Sequence, residues 1–267
     1  MAEVVLAVLN RPEDAAGLLD AGTRLLQIGG GGRLLALAVR IAPLSTIMPT
    51  EEVLTADREA ELRAGQQQWA ERLKAIVDRQ PPSAVPAVCI DWIDTEGDAA
   101  AIVALHGQEA DAIVLAHPAD GTSERQRECM HAALFDTECT VLVMPPEYAQ
   151  PFGRVVAIAW KDGGCAANSV RAAIPLLRQA DAVHVICADA DPVMPPIMAA
   201  HDIAAELHAV ADGEAPTAER LLDAAHGVGA DLLVMGAFTL GEWHERLFGG
   251  VTAAMLADAD LPLLMRH

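Results

Sequence analysis

The sequence predicts an α/β protein made of two doubly wound, Rossmann-like domains in tandem, each a five-stranded parallel sheet of order 3-2-1-4-5. Three observations carry this. Apolar strand runs alternate with amphipathic helices, the pattern occurs twice, and 267 residues suffice for two cores of about 130 residues each. The opening strands are EVVLAVLN (3–10) and RVVAIAWK (154–161), both short, β-branched and apolar on both faces. Each leads through a polar turn into a helix, RPEDAAGLLDAGTRLLQ or CAANSVRAAIPLLRQ, and then into a second strand, RLLALAV (33–39) or AVHVICA (182–188). ADAIVLAHP (110–118) matches ADLLVMGAF (230–238), and each half closes on a strand, TVLVMPP (140–146) or LPLLMRH (261–267). Strands separated by helices require right-handed crossovers and a parallel sheet.

The halves differ after their second strands. The first half carries an extra stretch over 43–80, read as a long helix over 51–78 with Thr50 as N-cap and the prolines at 81 and 82 as its stop. Its apolar residues Val53, Leu62, Trp69, Leu73 and Ile76 are expected to pack on the first domain. The corresponding place in the second half holds DADPVMPPIM, followed by AAHDIAAELHAV, read as a helix. The proline- and glycine-bearing PPEYAQPFG (145–153) marks the boundary, giving domains over 1–147 and 152–267. The final strands of the two halves are expected to meet across an internal pseudo-two-fold, making one chain a pseudo-dimer and burying sheet edges; whole chains could pair further.

Composition narrows the function classes. Hydrophobic residues make up 52% and charged residues 21%, so the chain is globular, and with aromatics at 3% its cores must be aliphatic. The net charge of −20 divides as −12 over 1–150 and −8 over 151–267, so neither half is basic. Such a surface repels nucleic acid and anionic membrane and argues against both as partners. Five cysteines without a CxxC pattern, and a chain that begins directly on a strand, predict a reduced, cytoplasmic protein. No apolar run reaches the ~20 residues that span a bilayer.

In doubly wound sheets ligands sit beyond the carboxyl ends of the strands, where strand order reverses between the first and fourth strands. In the second half that place is followed by GAFTLGEWHERLFGGVTAAML (236–256). Gly236 ends a strand without a Cβ, and a helix starts near Gly250 or Val251 with unpaired N–H groups and the positive end of its dipole. Thr252 adds a hydroxyl. Chemically this is an anion site.

ADLLVMGAF, RLFGGVT and ADLPLLM resemble the universal stress protein family, strongly over 154–267 and weakly over 3–146. The resemblance implies an adenine nucleotide alpha hydrolase-like, Rossmann-like fold, packing through the last strands and, in one branch, ATP bound by a glycine pattern. Carried over, Gly236 matches the first glycine, Thr239 stands at the second, Gly249 matches the third, and Gly250 stands where a hydroxyl is usual. Val251 and Thr252 follow at the helix start. These six residues form the candidate nucleotide set. Leu240 replaces a common histidine, and Trp160 stands where ATP binders carry an aspartate. Glu242 and Glu245 would each repel a solvated phosphate by something on the order of 1 kcal/mol; Lys161 and Arg246 could offset them. In the first half Ala116 and Cys129 replace the glycines, and no phosphate loop is present.

The resemblance implies a non-catalytic stress-response or regulatory protein with an adenine nucleotide, ATP, as the candidate ligand of the second domain. Two alternatives stand beside it: a slow ATPase or other nucleotide-dependent enzyme of the same broad fold, and an interaction scaffold without ligand. No nucleophile elbow (GxSxG) or dinucleotide fingerprint is present. Other motifs have plainer readings. GGGGR (29–33) precedes a strand and reads as a helix C-cap and turn. His201 and His208, seven apart on the helix read over AAHDIAAELHAV, lack metal-ligand spacing, His184 reads as a satisfied, partly buried strand residue, and no metal site is predicted. Cys165, in KDGGC, is the expected exposed thiol, and the charged face of helix 51–78 reads as solvated, with partner binding as its functional alternative.

Overall fold

The computed structural model describes residues 2–42, 55–81, 83–84, 87–117, 124–161, 164–188, 191–210, 213–236 and 251–267. The first half runs β1 (Val4–Val8), α1 (Pro12–Gly29), β2 (Gly32–Arg40), α2 (Ala56–Val77), β3 (Ser83–Ala84), β4 (Ala87–Glu96), α3 (Ala99–Gly107), β5 (Ala112–Ala116), α4 (Glu124–Phe135) and β6 (Thr140–Met144). The second half runs β7 (Val155–Trp160), α5 (Gly164–Leu177), β8 (Ala182–Cys187), α6 (Pro196–Ala200), β9 (Glu206–Ala209), α7 (Thr217–Gly227), β10 (Leu232–Gly236), α8 (Val251–Asp258) and β11 (Leu263–Arg266).

The eleven strands among the described residues form one sheet, ordered β3-β4-β2-β1-β5-β6-β11-β10-β7-β8-β9. Each half therefore has the expected 3-2-1-4-5 order, with the two-residue β3 added antiparallel to β4 at one edge. The halves join where β6 and β11 pair antiparallel, Leu142 opposite Leu264 and Val141 opposite Met265. Every other pairing among the long strands is parallel. β5 and β6 are buried throughout and β10 and β11 in all but their last residues, and all four are almost wholly aliphatic because helices cover both faces of the sheet. Each of the two buried apolar layers draws residues from both halves: one includes Leu142, Leu176 and Leu264, the other Val143, Met235 and Leu263.

One polar device occurs in both halves. The Asp111 carboxylate accepts from the backbone N–H groups of Glu3 (2.7 Å) and Val4 (3.0 Å), and Asp111 N–H donates to the Val4 carbonyl. The Asp231 carboxylate accepts from Gly153 (2.7 Å) and Arg154 (3.0 Å), and its N–H donates to the Val155 carbonyl. An aspartate entering the fourth strand thus satisfies the orphan donors that open the first strand. At the junction, fully buried Ser169 on α5 accepts from Arg266 N–H at 2.8 Å, locking α5 onto β11.

GGGGR is the predicted cap. Gly30 has φ 103° and its N–H reaches Gln27 and Leu26 carbonyls, while a Cβ on Gly32 would lie 2.2 Å from the Glu3 carbonyl oxygen. The long helix starts later than expected. Thr55 is its cap, accepting from Arg58 N–H at 3.3 Å, because α2 begins at Ala56; Thr50 and Val53 lie outside the described residues. α2 buries Leu73 as expected, with Ala70 and Val77 beside it; Trp69 and Ile76 are half-buried against the same core. The helix read over AAHDIAAELHAV is corrected. α6 stops at Ala200, Asp202 takes φ 56°, and 206–209 become β9, parallel to β8. β8 would otherwise present unpaired backbone groups, and that pairing outweighs the modest helix preference of alanine and leucine.

Leu264 lies at the seam, 2% exposed, between Leu142 of one half and Val234 of the other. Leu264→Ala is expected to cost about 2–5 kcal/mol. In calorimetry both halves should lose stability together, as one lowered transition.

Candidate functional site

Each half has a switch point where its first and fourth strands diverge. In the first half, β1 ends beside β5, and the chain's own groups fill the place. α1 opens with Glu13 and Asp14 in its first turn. Asp14 is 4% exposed and accepts from Arg11 Nε at 2.6 Å and from Glu147 N–H at 3.1 Å. A built-in carboxylate therefore occupies the electropositive end of the helix. His117, directly after β5, is also 4% exposed, and its N–H donates to the Met144 carbonyl at 2.7 Å. Arg125, at the start of α4, donates to the Val39 carbonyl and lies 5.8 Å above the Trp69 ring. The first described turn of α4 holds another acid, Glu124.

The second half differs in charge. The first described turns of α5 and α8, the helices that follow β7 and β10, contain no acidic residue. Gly164 at the start of α5 is exposed, with nothing within 4 Å of where its Cβ would stand. Exposed Lys161 follows the last residue of β7. The N-terminal dipoles of these two helices therefore have no acidic side chain within their described first turns.

Three of the six predicted site residues, Gly236, Val251 and Thr252, fall within the described residues. Gly236 is the last residue of β10, at the switch point. The space in front of it is taken: a Cβ there would lie 2.8 Å from Ala166 N and 3.2 Å from Cys165 Cβ. Its glycine character is thus explained by the close approach of α5. Val251 opens α8 and is 38% exposed, and Thr252 follows it in the helix. Thr239, Gly249 and Gly250 lie outside the described residues, as do Leu240, Glu242, Glu245 and Arg246. Trp160 ends β7 half-buried, its ring packed against the apolar core.

The thiols are redistributed. The exposed cysteine is Cys89, and the expected Cys165 is half-buried behind Gly236, because α5 packs directly on the end of β10. All five are free. Burial pushes the Cys129 thiol up to about 11, against a smaller opposing pull from Arg125, so it is a packing residue and not a nucleophile.

One cluster escaped the sequence reading. His184 on β8 and Glu206 and His208 on β9 bring one ligand atom each within 4.8 Å of one another. The signal that could have found them is the two-residue spacing of Glu206 and His208, which places both on one face of a strand but apart on a helix.

No protein-family model and no curated protein matches the chain. Solved structures do. A universal stress protein from Archaeoglobus fulgidus DSM 4304 superposes with TM-score 0.63 at 11% identity, over 98% of this chain and 94% of that one. A functionally unknown protein from Pseudomonas aeruginosa PAO1 superposes with TM-score 0.57 at 16% identity, over 98% and 92%. At these identities the likeness is one of fold, and it extends over the whole tandem arrangement.

Gly236→Ala is expected to destabilise the chain by about 1–3 kcal/mol in chemical denaturation, since the new methyl meets backbone and not a flexible side-chain end.

Proposed function

We propose that this chain is a non-catalytic regulatory protein of the universal stress protein type, whose second half binds an adenine nucleotide and whose first half is its structural partner. The observation that carries the reading is the asymmetry of the helix starts. Glu13, Asp14 and Glu124 stand at those of the first half, and no acid stands in the described first turns of α5 and α8. Phosphates would lie against the N–H groups of these two helices, with Thr252 as an added donor and Lys161 as a counter-charge. Thr239, Gly249 and Gly250, which lie outside the described residues, belong to the same proposed set. ATP is the ligand the family pattern favours. Nucleic acid and anionic membrane are disfavoured by the charge of −20. Among the described residues no helix is long and apolar enough to cross a membrane. Five cysteines outside any disulfide suit a reducing compartment such as the cytoplasm.

A second reading has a specific observation behind it. Gly236 is closed off by α5 and Trp160 packs on the core, which favours a scaffold that holds no ligand. Thermal unfolding of the full chain with millimolar ATP, ADP and AMP separates the two. A nucleotide at 100 times its Kd stabilises by about 2.7 kcal/mol. The proposal expects a raised Tm with at least one nucleotide, and that nucleotide in small molecules released from the purified protein. Gly164→Asp, which places a carboxylate at the start of α5 in open space, should weaken binding about tenfold or more while leaving the unliganded Tm nearly unchanged; Gly164→Ala should bind normally. No shift with any of the three, and none recovered, supports the scaffold.

A further inference from the structure

We propose that His184, Glu206 and His208 form a zinc site that fastens the edge strand β9 to the sheet. The argument is independent of the nucleotide reading. β8 and β9 pair in parallel with His184 opposite Glu206 and Ile186 opposite His208. Residues two apart on a strand share a face, so His208 stands on the same face as Glu206 and beside His184. His184 Nδ1 lies 2.9 Å from His208 Nε2, and the Glu206 carboxylate oxygen lies 3.6 Å from the first and 3.8 Å from the second. The centre of that triangle is about 2.0 Å from each corner, close to Zn–N and Zn–O bond lengths of roughly 2.0–2.2 Å.

The donor set selects the metal class. Two imidazoles and one carboxylate suit zinc, whereas Mg2+ and Ca2+ prefer oxygen ligands throughout. Burial grades the site: the His184 side chain is 13% exposed, His208 34% and Glu206 75%. The inner ligand is held by the sheet and the outer one faces water. A fourth position therefore remains for a water molecule, as in zinc sites with three protein ligands. A bare His–His hydrogen bond is the rival account. It explains the 2.9 Å contact but gives no part to Glu206, which lies beyond hydrogen-bond range of both nitrogens and yet completes the triangle.

The place gives the ion something to do. β9 is four residues long, ends the sheet order and, among the described residues, has β8 as its one strand neighbour. A short edge strand is weakly held, and a metal shared by both strands would fix its register and keep the edge from pairing elsewhere.

The test is zinc titration calorimetry on the full chain after chelator treatment, with thermal unfolding in parallel. The expected result is one Zn2+ per chain and a raised Tm with Zn2+ but not with Mg2+. His208→Ala and Glu206→Gln, both toward the exposed side of the site, should each weaken binding by about tenfold or more and remove most of the Tm rise. The double variant Cys89→Ser, Cys165→Ser should bind zinc as the unaltered chain does, which separates this site from the accessible thiols. No zinc uptake by the unaltered chain, or uptake that Glu206→Gln and His208→Ala leave unchanged, overturns the proposal; the first result would leave a His–His hydrogen bond only.

Discussion

Two parallel sheets cannot each end on an open strand without cost. The last strand of a 3-2-1-4-5 sheet offers a row of unpaired N–H and C=O groups on its outer side. Here β6 and β11 answer each other antiparallel, Leu142 against Leu264, and both edges disappear into one eleven-stranded sheet. Most of the architecture depends on that pairing. It makes the apolar layers continuous from one half to the other. It also sets the two switch points on opposite sides of a shared centre.

A seam of this kind lets the halves diverge. The aspartates that anchor the first strands, Asp111 and Asp231, are the same device in both, and the strand orders are the same. The switch points are not. In the first half Asp14 is paired with Arg11 and buried over the start of α1. Its carboxylate interacts favourably with the helix dipole, so the positive potential is spent inside the fold. In the second half the described first turns of α5 and α8 carry no acid. One half can be read as structure and the other as a site without any change of fold.

Much of this was legible in the sequence, for identifiable reasons. Strands such as 112–116 and 232–236 are buried on both faces, so they read as apolar runs, and their repetition betrayed the duplication. The meeting of the last strands followed from the edge each half would otherwise expose. The segment 206–209 misled because an edge strand keeps few apolar residues, and alanines and leucine imitate a helix until the open side of β8 is seen to need a partner. With that segment read as helix, His208 could not be placed beside His184, so the cluster stayed hidden. Gly236 was legible as special but not in its cause: the nearby atoms belong to α5, seventy residues earlier in the chain. Cys165 was misplaced by the same packing.

On the function proposed above, one fold used twice binds an anion at the switch point of its second half alone. Hydrogen–deuterium exchange of the full chain with and without ATP tests this most directly. Slowed exchange over 164–168 and 251–255 is expected on adding ATP, with 12–16 and 124–129 unchanged. Protection in the first half, equal protection in both halves, or none in either would contradict it.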